Sequence, residues 1–98
     1  MNFEVASYLY EKELNWYDAR LYCFALNING KTGWRLPTEE ELDMLLYDVE
    51  LFKRGLQLHG HEYWTSTPND DGRVWSGRRH VFNLSKTIIG VRPVRDIT

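Results

Sequence analysis

The sequence predicts an α+β fold, with two helices in the first half of the chain and an antiparallel sheet built mainly from the second half. Three observations predict it: an alternating aromatic and β-branched segment at the N-terminus, two segments with helical periodicity, and short apolar strands separated by turn residues. The chain has 98 residues, enough for one modest hydrophobic core. We therefore expect a single domain over residues 1–98.

The first strand is predicted by alternation and the first helix by a capping signal. Residues Phe3–Tyr10 alternate loosely and are rich in Val, Tyr and Phe, which is typical of a strand. Asn15 stands three residues before Asp18, a common start for a helix, here over Asn15–Asn27. The predicted buried face of this helix consists of Trp16, Ala19, Cys23 and Leu26. Cys23 is the only cysteine, so we expect a buried, protonated thiol and no internal disulfide.

The segment Gly33–Leu42, GWRLPTEEEL, joins a short strand to the second helix. Pro37 ends the extended residues, because the residue before a proline is kept out of the helical region. Thr38 and Glu41 have the spacing of a capping box, and the two glutamates between them suit the first turn of a helix. Arg35 has no evident local partner, so we expect it to pair with a carboxylate across the fold.

The remaining elements follow from apolar spacing. The second helix is predicted to continue to Gly55 along the stripe Leu42, Leu45, Leu46, Val49 and Phe52. A meander of strands is predicted at Tyr63–Thr67, Val74–Trp75, His80–Leu84 and Ile88–Arg95, with a turn at Pro68–Gly72. Pro93 has no N–H, so it is expected at a sheet edge or at an unpaired point.

The net charge of −2 conceals an uneven distribution of charge. Residues through Phe52 include ten acidic and four basic side chains, whereas the rest of the chain has eight basic and four acidic ones. If the fold keeps the halves on different faces, one face suits an anionic partner and the other a cationic one, which also allows self-association. The alternative is mutual neutralisation in surface ion pairs.

Four blocks of the sequence together resemble a known domain. They are Trp16, Ala19 and Cys23, then GWRLPT with Glu41 and Leu42, then YWTST at Tyr63–Thr67, then VRPVR at Val91–Arg95. In this order they resemble the bacterial and phage WRLPT-containing domain of unknown function, found at the tips of collagen-like adhesins. The resemblance implies a C-type-lectin-like fold, in which the chain ends lie close together and two helices flank a twisted antiparallel sheet. The residues expected to carry this scaffold are Trp34, Arg35, Thr38, Glu41, Trp64, Arg92 and Arg95.

A more distant similarity, to the formylglycine-generating enzyme family, does not extend to the chemistry of that family. Those enzymes rely on a reactive cysteine pair late in the chain, and this sequence has only Cys23. The sequence also lacks a recognisable nucleophilic triad and a glycine-rich phosphate loop. We therefore expect no enzymatic activity and no cofactor.

Two groups of residues could ligate a metal, but neither has a pattern that indicates a metal site. Asn69–Asp71 offers oxygen ligands for calcium, but an ordinary turn accounts for these residues. His59, His61 and His80 offer imidazoles for zinc without an acid or cysteine at a diagnostic spacing. No metal site is expected.

The predicted binding surface is basic and aromatic and lies in the second half. Its residues are Arg73, Trp75, Arg78, Arg79, His80 and Lys86. Arginines interleaved with aromatic rings suit a polyanion or an acidic protein surface, although the net negative charge argues against a dedicated nucleic-acid-binding protein. Arg92 and Arg95 are instead expected to pair internally with helix carboxylates, with Trp64 and Trp75 in the core.

The sequence therefore predicts a non-enzymatic binding module. Our first hypothesis is a small cytoplasmic protein that binds a cellular protein and modulates it, in the host cytoplasm if the chain is phage-encoded. The alternative is an adhesin or phage tail-tip module that binds a surface glycan or another polyanion. Neither hypothesis involves a membrane segment, since no apolar run approaches the ~20 residues of a membrane helix and the N-terminus lacks the pattern of a signal peptide.

Overall fold

The helices and strands of the computed structural model confirm the α+β class. The structure describes residues 2–47, 62–66, 73–75 and 81–97. The strands within them are β1 (Phe3–Val5), β2 (Lys12–Leu14), β3 (Arg73–Trp75), β4 (Val81–Asn83), β5 (Ile89–Val91) and β6 (Val94–Asp96). The helices are α1 (Trp16–Ala25) and α2 (Glu39–Tyr47), and a 3₁₀ turn spans Tyr8–Tyr10. None of these described helices is long and apolar enough to cross a membrane.

The strands near the two ends of the chain pair with each other. β1 pairs with β6 and β2 with β5, both antiparallel, so that Phe3 lies opposite Asp96 and Lys12 opposite Val91. Among the described strands, only β3 and β4 pair as neighbours along the chain. The predicted meander of consecutive strands was therefore wrong in its pairing. The N-terminal strands β1 and β2 are the partners of β6 and β5, which the meander would have paired with their neighbours along the chain.

The predicted strand over Phe3–Tyr10 was too long. The Ala6 N–H donates to the carbonyl of Pro93 at 2.9 Å, and the chain then leaves the sheet. The Ser7 hydroxyl accepts from the N–H of Leu9 at 3.3 Å and begins the 3₁₀ turn, because a serine side chain competes for backbone donors. β2 follows this turn, and the sequence pattern did not predict it.

The predicted strand over Ile88–Arg95 is divided in two at Arg92 and Pro93. β5 pairs with β2, whereas β6 pairs with β1, so the chain changes its partner strand at this dipeptide. Pro93 has no N–H to give to either ladder, which agrees with its prediction as an unpaired point. Only its carbonyl is available, and Ala6 occupies that acceptor.

The predicted strand over Tyr63–Thr67 is a single bridge in the part that the structure describes. Tyr63 bridges to Gly90 in the parallel sense, and the Trp64 N–H donates to the Gly90 carbonyl at 2.9 Å. A Cβ at Gly90 would lie 2.8 Å from the Tyr63 ring, so this close approach requires glycine. Trp64 is thereby buried in the core as expected, where its indole N–H donates to a backbone carbonyl of β2 at 2.7 Å.

α1 begins as predicted and packs on the main core. The Asn15 Oδ1 accepts from the Asp18 N–H at 2.8 Å, which confirms the capping signal, although the helix ends at Ala25 and not at Asn27. The main core consists of Ala6, Trp16, Ala19, Cys23, Trp34, Leu36, Trp64, Leu84, Ile89 and Val91. Burial raises the pKa of Cys23 to about 12, so the thiol is protonated at neutral pH, as expected.

α2 covers a second, smaller core. Leu45 lies buried with Phe3 and Val94, which places the helix against the β1–β6 pair. The predicted continuation of α2 through Val49 and Phe52 to Gly55 lies outside the described residues, as does the predicted turn at Pro68–Gly72.

Candidate functional site

The acidic residues of the GWRLPTEEEL segment begin a helix. The Thr38 Oγ1 accepts from the backbone N–H of Glu41 at 3.1 Å, and the Glu41 carboxylate accepts from the N–H of Thr38 at 2.9 Å. This reciprocal pair satisfies two backbone donors that a helix start leaves open, and it confirms the predicted capping box. The segment that most resembles a catalytic acid cluster therefore has a structural role.

Arg35 connects this helix start to the C-terminal strand. Its guanidinium donates to both carboxylate oxygens of Glu41, at 2.7 and 2.8 Å, and to the Asp96 Oδ1 at 2.7 Å. The hydrogen bonds from Arg35 hold the pKa of both carboxyls below their usual range. The predicted partner across the fold is Asp96, and Glu41 adds a local partner that was not predicted for Arg35.

Arg92 is buried among backbone and carboxylate acceptors. Its Nε donates to the carbonyl of Ala6 at 2.7 Å, and its Nη1 donates to the Glu11 Oε1 at 3.1 Å. The same Glu11 oxygen accepts from the Tyr63 hydroxyl at 2.9 Å. With 1% of its side chain exposed, Arg92 holds the junction of β5 and β6 against the residues before β2.

Arg95 has a similar internal role nearer the surface. It donates to the Glu4 carboxylate through Nη1 and to the carbonyl of Thr32 through Nε, the latter at 2.9 Å. Lys31 also pairs with Glu4, at 3.2 Å, and the hydrogen bond from Arg95 is the main cause that lowers the pKa of Glu4. Internal pairing is therefore observed for both arginines. For Arg95 the carboxylate lies in β1 and not in a helix, and for Arg92 the described carboxylate is that of Glu11, just before β2.

These ion pairs mix the two halves of the sequence. Three of them join an acidic and a basic residue from different halves: Glu4 with Arg95, Glu11 with Arg92, and Asp96 with Arg35. For these residues the observed arrangement is mutual neutralisation, not a separation of acidic and basic faces.

The predicted basic surface is only partly described. The backbones of Arg73 and Trp75 lie in β3, which pairs with β4, and Lys86 lies exposed in the turn after β4. The side chains of Arg73 and Trp75, like the whole of Arg78, Arg79 and His80, lie outside what the structure describes. The surface as a unit therefore stays a prediction.

Metal-ligating side chains do not cluster in the described part of the chain. No three His, Cys, Asp or Glu residues there are close enough to hold a metal ion. The residues considered from the sequence, His59, His61, His80 and Asn69–Asp71, lie outside the described residues.

α1 has a second apolar face, which points into solvent and which the sequence analysis missed. Tyr17, Leu21 and Phe24 are 51, 66 and 83% exposed. Their i, i+4, i+7 spacing places them on one side of the helix. The signal was available, because a helix with one buried face is normally polar on its other side, and α1 is apolar on both.

A groove of about 730 Å³ runs beside this exposed face, and we call it the α1 groove. Its lining comes from α1, from the extended residues before α2 and from the 62–66 segment. The lining residues are Trp16, Tyr17, Arg20, Leu21, Phe24, Trp34, Arg35, Leu36 and Ser66.

Hydrogen bonds hold the aromatic walls of the α1 groove in place. The indole N–H of Trp16 donates to the carbonyl of Thr65 at 2.8 Å, and that of Trp34 donates to the carbonyl of Lys31 at 3.0 Å. The Tyr17 ring packs edge-on against Trp16, with the ring centroids 5.3 Å apart. Both indole donors are satisfied within the chain and both rings are almost fully buried, so they form a fixed wall. The apolar surface open to a partner is that of Tyr17, Leu21 and Phe24.

Arg20 is a charged residue within the α1 groove. Its guanidinium carbon lies 4.8 Å from the centroid of the Trp16 ring, a cation–π distance, and the side chain is exposed. Among the described residues it forms no ion pair, whereas Arg35 in the same groove pairs with two carboxylates. The described part of the groove thus presents a cation without an ion-pair partner beside large apolar side chains.

A comparison with models of known protein families matches nearly the whole chain. The model is that of the Lcl C-terminal domain, and it matches residues 4–95, which include both helices and the entire lining of the α1 groove. No curated protein matched the chain.

Proposed function

Since the chain belongs to the Lcl C-terminal domain family, we propose that it is a non-enzymatic binding module that docks a protein partner through the α1 groove. The observation that carries this proposal is the exposed row of Tyr17, Leu21 and Phe24 beside fixed aromatic walls. A contiguous row of large apolar side chains is seldom left in water unless another surface covers it.

The exposed row is large enough to form the centre of an interface. At ~200 Å² for a fully exposed large side chain, the three exposed fractions amount to on the order of 400 Å². A stable interface buries about 800 Å² on each partner, so the row would supply the apolar centre and the rest of the lining the rim. Docking would cost little conformational entropy in the walls of the groove, because hydrogen bonds already hold Trp16 and Trp34 in place.

Two residues that suggest catalysis have structural surroundings, which supports binding over enzymatic function. Glu41 caps α2 and pairs with Arg35, and Cys23 is buried with a raised pKa. We also retain the C-type-lectin-like fold as a proposal. The pairing of β1 with β6, which brings the chain ends together, supports it.

A protein partner fits the α1 groove better than a glycan or another polyanion does. An apolar row gains free energy when it meets another apolar surface, which a polyanion does not offer. The basic surface of Arg73, Trp75, Arg78, Arg79, His80 and Lys86 remains a second proposed contact, and it is the one that the polyanion alternative would use. Cytoplasmic location, phage origin and modulation of the partner likewise remain proposals.

Affinity capture with two matched variants tests the proposed function. Leu21→Glu places a charge in the α1 groove, whereas Leu9→Glu places one on the 3₁₀ turn, where the leucine is similarly exposed at 72%. We expect the wild-type domain and Leu9→Glu to capture the same protein from lysate of the source cells. Leu21→Glu should capture at least about tenfold less, because it removes a central apolar contact. Equal capture by all three would overturn the proposal.

A second pair of variants tests the polyanion alternative. Binding to a sulfated-glycan resin is measured for Leu21→Glu and for the double variant Arg78→Glu plus Arg79→Glu. Resin binding that the double variant loses and Leu21→Glu keeps would favour the glycan or polyanion module. Thermal unfolding of each variant verifies that it is folded.

A further inference from the structure

We propose that the α1 groove takes one amphipathic helix of the protein partner, and that a carboxylate near the middle of this helix meets Arg20. The inference rests on the proposed function and adds the shape and charge of the occupant. Three features carry it: the spacing of the exposed apolar row, the backbone pairing of the opposite wall, and the position of Arg20.

The exposed apolar row has the spacing of a helix-binding face. Tyr17 and Phe24 are seven residues apart, which is about 10 Å along the axis of α1 at 1.5 Å per residue. A partner helix packed along this row presents its own apolar side chains at three- and four-residue intervals over two turns. Side chains from the two helices can then alternate along the groove.

The opposite wall of the groove does not favour an added β-strand. Arg35 uses both its N–H and its carbonyl on Val94, at 2.7 and 2.9 Å. The Leu36 carbonyl accepts from the Arg35 side chain, and the carbonyl of Pro37, which has no N–H, accepts from Ser66 at 2.8 Å. An added strand needs an open row of backbone donors and acceptors, whereas a helix satisfies its own backbone. A helix is therefore the better occupant.

Arg20 determines the charge of the occupant. It lies three residues after Tyr17 and four before Phe24, so it flanks their row about midway along its length. A wholly apolar helix would remove this guanidinium from water and give it no carboxylate in return, and burying an unpaired charge is unfavourable. The described lining contains no carboxylate, and the other arginine of the groove, Arg35, is already paired. An acidic side chain on the partner helix completes the site.

The same charge argues against a second copy of this chain as the occupant. In a two-fold symmetric pair, the middle of one face meets the middle of the other. Arg20 of one copy would then approach Arg20 of the second, and two like charges would repel within the interface. This repulsion disfavours a two-fold pair through the α1 groove, and we take the occupant to be a different chain with the opposite charge at this point.

A library of helical peptides tests the inference. The peptides are stapled helices about four turns long, with leucines along one face and randomised residues at the middle of that face and beside it. They are selected on the immobilised wild-type domain and, in parallel, on Arg20→Glu. We expect Asp or Glu to be enriched at the middle position on the wild type, and Lys or Arg on the variant. Enrichment without this reversal would overturn the role of Arg20.

The affinity of the best selected peptide then isolates the charged contact. Replacing its central acid by glutamine should weaken binding to the wild-type domain roughly fivefold, the scale of a partly exposed ion pair. The same replacement should leave binding to Arg20→Gln unchanged. An equal loss on both domains would assign the effect to the peptide and refute the pairing.

Leu21→Glu separates failure of this inference from failure of the proposed function. If no helix is enriched on the wild type while Leu21→Glu still loses the captured partner, the groove binds a partner of another shape and the helix inference is wrong. If Leu21→Glu affects neither peptides nor captured protein, the proposed function fails as well. Thermal unfolding of Arg20→Glu, Arg20→Gln and Leu21→Glu checks that each remains folded.

Discussion

Replacing Glu41 by alanine removes two contacts at once, so its effect on stability can be worked out from the structure. One carboxylate oxygen accepts from the Thr38 N–H at 2.9 Å, and the two oxygens accept from Arg35 at 2.7 and 2.8 Å. Glu41→Ala leaves the helix start without its reciprocal cap and Arg35 with only Asp96 as a carboxylate partner.

The two lost contacts have comparable magnitudes. Thr38 still accepts from the backbone N–H of residue 41, and the lost hydrogen bond from the Thr38 N–H contributes about 1 kcal/mol to the free energy of unfolding. Hydrogen bonds to a charged group contribute ~1.5–3 kcal/mol, and we take the lower end because the Arg35 side chain is 30% exposed and keeps Asp96. We therefore expect Glu41→Ala to lose about 2–3 kcal/mol, which lowers Tm by roughly 10–20 °C in a domain of this size.

Chemical denaturation of three variants checks this prediction. Glu40→Ala is the matched control, because Glu40 lies exposed in the same first turn and should contribute only ~0.3–0.5 kcal/mol through the helix dipole. Glu41→Gln keeps an oxygen for the Thr38 N–H but loses the charge, so its loss should be intermediate, about 1–2 kcal/mol. If Glu41→Ala is no less stable than Glu40→Ala, the structural role of the carboxylate is refuted.

Two other predictions concern acid stability and the contact at Gly90. In the folded chain the pKa values of Glu4, Glu41 and Asp96 lie below their ordinary values of 4.5, 4.5 and 3.8. The charged carboxylates therefore stabilise the folded state at a pH above those ordinary values. This stabilisation is lost as the pH falls through the lower pKa values of the folded chain. The free energy of unfolding should decrease as the pH falls below about 5, and urea titrations showing constant stability down to about pH 3 would contradict this. Gly90→Ala would place a Cβ 2.8 Å from the buried ring of Tyr63 and 2.9 Å from a backbone carbonyl. The ring cannot move away freely, because the Tyr63 hydroxyl donates to a carboxylate. We expect the free energy of unfolding to fall by about 1–3 kcal/mol. If the variant has the Tm of the wild type in thermal unfolding, Tyr63 and Gly90 are not packed as closely as this.

The sequence predicted the helix starts well because capping is a local property. The contacts of Asn15 with Asp18 and of Thr38 with Glu41 involve residues three apart, so the whole signal lies within a few positions. The buried position of Cys23 was predicted for the same reason, since helical periodicity within one segment is enough to place it.

Strand pairing could not be predicted in the same way, because it joins residues far apart in the chain. The alternation over Ile88–Arg95 is the same whether the strand has one partner or two, and only the pairing of β5 with β2 and of β6 with β1 shows the change at Pro93. The described carboxylate partners of Arg92 and Arg95, Glu11 and Glu4, also come from the opposite end of the chain. Their internal role could be expected from the sequence, but their partners could not.

The α1 groove was missed for a different reason. The spacing of Trp16, Ala19 and Cys23 was sufficient to explain the helix, so the second apolar row went unused. The side chains of Tyr17 and Phe24 are large and apolar, like those of the buried row. The sequence of the helix alone therefore does not indicate which of the two rows packs against the core. That choice depends on the direction in which the chain leaves β2 and on the hydrogen bond from Trp16 to Thr65.

The pairing of β1 with β6 determines how the domain would respond to mechanical tension. Phe3 lies opposite Asp96 at the outer end of this ladder, so both chain ends leave the domain at one edge. A force that pulls the two ends apart would break the ladder one rung at a time, and would next reach the Ala6–Pro93 hydrogen bond and the β2–β5 ladder. Opening one rung at a time needs less force than shearing a whole ladder. The β1–β6 ladder therefore resists a force on the chain ends with the strength of one rung and not with that of the whole ladder.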